Sequence, residues 1–69
     1  MSGILVKRIG RFNVLRSLHP DSRYGTIQVR SGGHILRSYR FDRNSLDSME
    51  RAIEKAEDWI QLQFRRGEA

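Results

Sequence analysis

The C-terminal third of the chain carries the plainest hydrophobic pattern. Leu46, Met49, Ile53, Ala56, Ile60 and Phe64 recur at steps of three and four, which aligns them along one stripe of an α-helix, and Ala52 and Trp59 widen it. Asn44 or Ser45 can cap the start, because their side-chain oxygens accept backbone N–H groups that have no partner inside the helix. Asp47 and Glu50 suit the positive end of the helix dipole, and Arg65, Arg66 and Gly67 form a matching stop. The pattern predicts a helix over about 45–66.

Upstream the period falls from about 3.6 to 2. In Tyr24-Gly25-Thr26-Ile27-Gln28-Val29-Arg30, Ile27 and Val29 point one way while Thr26, Gln28 and Arg30 point the other, as in a strand with one wet face. Ser31-Gly32-Gly33 suits a tight hairpin, so strands are expected over about 24–31 and 34–41. Phe12 and Val14 mark an earlier strand within about 4–15, whose first residues, 4–8, either extend it or separate as a fourth. Between the first and central strands, residues 17–23 form a turn-rich loop in which Pro20 ends regular pairing. Arg37 falls on the core face and Leu15 and Leu36 on the wet one, departures that a bulge at Ser38 would reconcile.

The expected fold class is therefore α+β. A three-stranded antiparallel β-meander, four-stranded if residues 4–8 separate, packs on one long C-terminal helix in β-β-β-α order, as a single domain over 1–69. Such a two-layer unit covers one sheet face with the helix and leaves the other open.

Composition narrows the function. With 69 residues the chain has room for one modest core, so a second copy or a partner could supply part of its stability. The absence of cysteine removes disulfides and Cys-based zinc sites, which fits a reducing, cytoplasmic or nucleoid-associated setting. The apolar run Ile4-Leu5-Val6 stops at Lys7 and Arg8, far short of the ~20 residues of a membrane span, and no membrane partner is expected.

Charge changes the picture most. The net charge is +5 and the isoelectric point about 10.8, which favours anionic partners. Residues 1–43 hold a balance of +7, whereas residues 44–69 hold −2. If Phe12, Val14, Ile27, Val29, Tyr39 and Phe41 face the helix, the pleat sends Arg11, Asn13, Thr26, Gln28, Arg30, Ser38 and Arg40 to the opposite side. Arginine can bond guanine O6 and N7, Asn and Gln can bond adenine N6 and N7, and hydroxyls serve several acceptors, so such a face suits a DNA major groove. Lys7, Arg16, Arg23 and Arg43 are expected at edges and loops, within reach of phosphates. A solvated face would normally mix both charge signs, as the helix does.

The order of elements, with Gly10-Arg11-Phe12, the strand from Tyr24 to Arg30, and Phe41 leading to a helix with Ala52 and Ala56, resembles AP2 domains and the arm-type DNA-binding domains of tyrosine recombinases. The likeness spans about residues 10–62 and rests on topology and spacing; the tryptophan usual in that family's second strand is absent. The resemblance implies a sheet laid into the major groove with the helix behind it, and Arg11, Asn13, Gln28, Arg30 and Arg40 as contacting residues.

Other chemistry is sparse. His19 with Asp21, and the distant His34, fall short of a metal-ligand set, and no serine has the His and acid spacing of a nucleophile, so no catalysis, metal or cofactor is expected. Trp59 suits the edge of the core or an interface anchor, and the helix stripe is compatible with a homodimer seam. The leading expectation is a small double-stranded-DNA-binding protein, a regulator or recombination accessory. The alternative is an interaction module or inhibitor that grips an acidic protein surface. RNA is disfavoured, because only Tyr24 offers a stacking aromatic on the wet face.

Overall fold

The computed structural model describes residues 3–67; the outermost positions of the expected 1–69 domain lie outside them. Four strands, β1 (Ile4–Ile9), β2 (Phe12–Leu18), β3 (Tyr24–Ser31) and β4 (His34–Asp42), precede helix α1 (Leu46–Arg65). They form one antiparallel sheet in the order β1-β2-β3-β4. The meander packed on a helix is thus the expected architecture, with the segment over 4–15 divided into two strands.

Gly10 makes that division. Ile9 pairs with Phe12, which leaves Gly10 and Arg11 as a two-residue turn. Gly10 has φ 60°, the left-handed region that the first position of such a turn requires and that glycine enters without a Cβ penalty. The ring of Phe64 also lies against this position, where a Cβ would come within 2.7 Å of Phe64 Cζ. The second hairpin closes with Ser31 opposite His34 across Gly32 and Gly33, as their sequence suggests.

Two bulges tune the register. One lies in β1 at Val6, between the pairs Leu5–Leu15 and Lys7–Val14. The other lies in β4 at Leu36, since Arg37 pairs with Val29 while Ile35 pairs with Arg30. The bulge expected at Ser38 is therefore at Leu36, whose partly buried side chain packs against the core. The extra residue restores alternation, and Arg37 remains on the helix side.

The core consists of Phe12, Val14, Ile27, Val29 and Phe41 from the sheet with Ala52, Ala56 and Ile60 from the helix. Ala52 and Ala56 are small enough to let the helix backbone lie close to the strands. The helix rests mainly on β4 and β3, touches β2 less, and meets β1 through an ion pair of Lys7 with Glu57. Trp59 and Phe64 close the core edge, each edge-on to Phe12 with centroids 5.8 and 6.0 Å apart.

The helix is rotated slightly from its expected stripe. Leu46 is 63% exposed and Phe64 38%, whereas Gln63 is buried and its Nε2 donates to the Trp59 carbonyl. Ser45 is the N-cap, accepting the Ser48 N–H at 3.1 Å, and Arg66 with Gly67 ends the helix through bonds to the Leu62 and Phe64 carbonyls. Ser48 Oγ in turn accepts the Asp42 N–H, fastening the helix start to β4. Among the described residues no helix is long and apolar enough to cross a membrane.

Candidate nucleic-acid interface

Strand pairing fixes which side chains share the sheet face turned away from the helix. Cross-strand partners lie on the same face, so the register builds this surface in rows. Arg8, Asn13, Arg30 and Ile35 form one row; Leu5, Leu15, Gln28 and Ser38 form the next. Ser17, Thr26 and Arg40 make a third, and Tyr24 with Asp42 closes the end. At two residues per row, Arg30 and Arg40 sit roughly 14 Å apart along the strands, comparable with the ~12 Å width of a DNA major groove.

Six of the expected site residues meet here: Asn13, Thr26, Gln28, Arg30, Ser38 and Arg40. Arg30 is held in place by Gln28, whose Oε1 accepts from Nε at 3.1 Å and from Nη2 at 2.7 Å. The pair fixes the guanidinium plane and leaves Nη1 outside the fork. Arg40 lies over the ring of Tyr24, 5.0 Å from its centroid, which orients a second cation on the same face. Thr26 Oγ1 is buried beside them with no hydrogen-bond partner among the described residues.

The other expected residues are placed differently. Lys7 faces the helix and pairs with Glu57, because the Val6 bulge puts it opposite Val14. Arg16 pairs with Ile27 and so also belongs to the helix side, half-buried, with its Nε buried and unpartnered among the described residues. Arg11 occupies the β1–β2 turn, its guanidinium 5.0 Å from the Phe12 ring centroid, at the end of the face beside Arg8 and Arg30. Arg23 is exposed in the loop at the opposite end. Arg43 there donates from Nη1 to the carbonyls of His19 and Ser22, so it closes the β2–β3 loop. Pro20, Asp21, Ser22, Arg23, Arg43 and Asn44 line a shallow depression at that end.

Arg8 is the contributor that sequence reasoning passed over. Its place on the open face follows from the Gly10 turn, and a lone glycine between Ile9 and Arg11 was the only signal for that turn.

The distribution of acids completes the electrostatics. Asp47, Glu50, Glu54, Glu57 and Asp58 all belong to the helix, on the other side of the sheet. Asp42, at the end of the open face, accepts the Asn44 N–H at 2.9 Å in the turn into the helix. The rows around Arg8, Arg30 and Arg40 contain no carboxylate. The face is not uniformly polar, however, since Leu5 and Ile35 are more than half exposed and Tyr24 is 43% exposed.

Burial raises the Tyr39 hydroxyl above its ordinary pKa, against a smaller opposing effect of the Arg37 cation. Tyr39 pairs with Ile27 on the helix side and has no part in the open face. His19 and His34 lie at opposite ends of the sheet, and the described residues contain no cluster of three or more His, Cys, Asp or Glu able to hold a metal.

No protein-family model, curated protein or solved structure matches the chain.

Proposed function

We propose that this protein binds double-stranded DNA through the open sheet face and works as a binding protein, not an enzyme. The observation that carries the reading is the gathering of Arg8, Arg30 and Arg40 with Asn13 and Gln28 on one carboxylate-poor face, while the acids cluster on the helix behind it. Pre-oriented guanidinium groups suit guanine edges, and the side-chain amides suit adenine. Arg11 at one end and Arg23 at the other are placed to meet phosphates, which set register without reading sequence. This arrangement agrees with the major-groove docking implied by the resemblance to AP2 and arm-type domains, with Arg8 added and Arg11 moved to the rim.

A duplex-DNA titration at several salt concentrations tests it. Neutralising about four phosphates gives a log K against log salt slope of roughly −4. A slope shallower than about −1, or no binding to duplex at low salt, would overturn the proposal.

The exposed Leu5, Ile35 and Tyr24 favour a second reading, in which the same face grips an acidic protein surface. Aromatic and Arg side chains are common anchors at protein interfaces, and an apolar contribution would make binding less sensitive to salt.

A further inference from the structure

The two edges of the sheet are unequally protected. β4 carries the Leu36 bulge and the exposed cations Arg37 and Arg40, features that discourage another strand from pairing. β1 presents Ile4, Leu5 and Val6 in succession, 60%, 56% and 38% exposed. An apolar edge of this kind is a template for strand addition, because its outward N–H and C=O groups lack a ladder. The helix lies over β3 and β4, so the flank of β1 is not roofed by it.

We propose that β1 pairs antiparallel with β1 of a second copy, joining two sheets into one of eight strands. The order of residues along β1 selects this occupant. Centred on Leu5, the antiparallel register sets Ile4, Leu5 and Val6 against Val6, Leu5 and Ile4 of the second copy. Lys7 of each chain then falls opposite Gly3 of the other, which keeps the two ammonium groups roughly 14 Å apart along the strands. That distance exceeds the ~8 Å screening length at physiological ionic strength, so the positive chains can approach. An acidic peptide strand has less to recognise here, since Lys7 is already neutralised by Glu57.

The symmetry is closed, with a two-fold axis perpendicular to the sheet. Both helices lie on one side of the joined sheet, well away from the seam, and both open faces lie on the other. The bulge at Val6 restricts the new ladder to the few residues around Leu5. The contact is smaller than a standard interface of about 1,600 Å², so the dimer is weak and forms as protein concentration rises. The inference stands on the edge strand alone and does not depend on what the open face binds.

Sedimentation equilibrium from micromolar to millimolar protein tests it. The mass of the native chain should climb from 8.1 kDa toward twofold, while Ile4→Asp and Val6→Asp, with unchanged far-ultraviolet circular dichroism, should lose that rise. The chain has no cysteine, so single-cysteine variants report the seam directly. Antiparallel partners have Cα atoms about 4.5–5.5 Å apart, within disulfide reach. Diamide, by taking up two electrons and two protons from a pair of thiols, should couple Leu5→Cys into a covalent dimer faster than Ile35→Cys, a site of similar exposure on β4. A native chain that stays at 8.1 kDa at every concentration, a dimer that survives Ile4→Asp, or equal coupling of the two cysteines would overturn the proposal.

Discussion

The guanidinium of Arg37 lies 5.2 Å from the ring centroid of Trp59, joining the far edge of the sheet to the helix. This contact accounts for an arginine at a position where alternation calls for an apolar side chain. The aliphatic stem covers the edge of the core while the charge rests on the indole face. Arg37→Ala should lower stability by about 0.5–1 kcal/mol, the range of an exposed cation–π contact. Urea unfolding followed through the fluorescence of Trp59, the chain's single tryptophan, measures it. DNA affinity should change much less than in Arg30→Ala.

Lys7 and Arg8 are neighbours in sequence with opposite orientations, one paired with Glu57 and the other in a row with Asn13 and Arg30. Arg8→Ala should therefore weaken duplex binding and make the salt slope shallower by about 1, if it meets a phosphate. Lys7→Ala should leave the slope nearly unchanged. Its partly exposed ion pair belongs to a class worth ~0–1 kcal/mol, so folding should survive as well. Equal effects of the two substitutions on DNA binding would contradict the assignment of faces.

Gly10 combines a left-handed backbone with the close approach of Phe64. Gly10→Ala should cost about 1–2 kcal/mol from the backbone conformation alone, with a further loss as Phe64 is displaced from Phe12. Denaturant midpoints for Gly10→Ala and Phe64→Ala, separately and together, check the coupling. The double variant should lose less than the sum, because the two sites share one contact.

These three sites also show where the sequence was readable. The strand from Tyr24 to Ser31 alternates cleanly because one side is buried against the helix and the other is not, so its period survives in the residue pattern. The Ser45 cap is likewise local chemistry, complete within a few residues. The Gly10 turn has no Asn or Asp beside it, and without that turn neither the fourth strand nor the place of Arg8 could be derived. The Leu36 bulge depends on the register of β4 against Val29 and Arg30, a tertiary fact with no local signature. Choosing Gln63 over Phe64 for burial required knowing that Phe64 would lean edge-on against Phe12, and that Gln63 would find the Trp59 carbonyl. As for the candidate face, the pleat grouped Asn13, Thr26, Gln28, Arg30, Ser38 and Arg40 correctly, while Lys7, Arg16 and Arg11 were displaced by the bulge, the strand phase and the turn.

Tyr39 links pH to stability. Its folded pKa is raised by burial above the ordinary value of 10.0. The folded state thus favours the neutral phenol, so the contribution is fully present below the unfolded pKa and is lost as pH rises through the folded one. Stability should fall on alkaline titration above about pH 10, and the fall should be smaller in Tyr39→Phe. Tyrosinate absorbance in a Tyr24→Phe background isolates the Tyr39 titration, which should lie above that of a model phenol.

The account turns on which side of the sheet meets the ligand, and an NMR titration of the native chain with a random-sequence DNA duplex reads that side directly. It predicts chemical-shift changes concentrated at Arg8, Asn13, Gln28, Arg30, Ser38 and Arg40, with Glu50, Glu54 and Asp58 on the helix unmoved. Changes centred on the helix, or an unaltered spectrum at low salt, would contradict it.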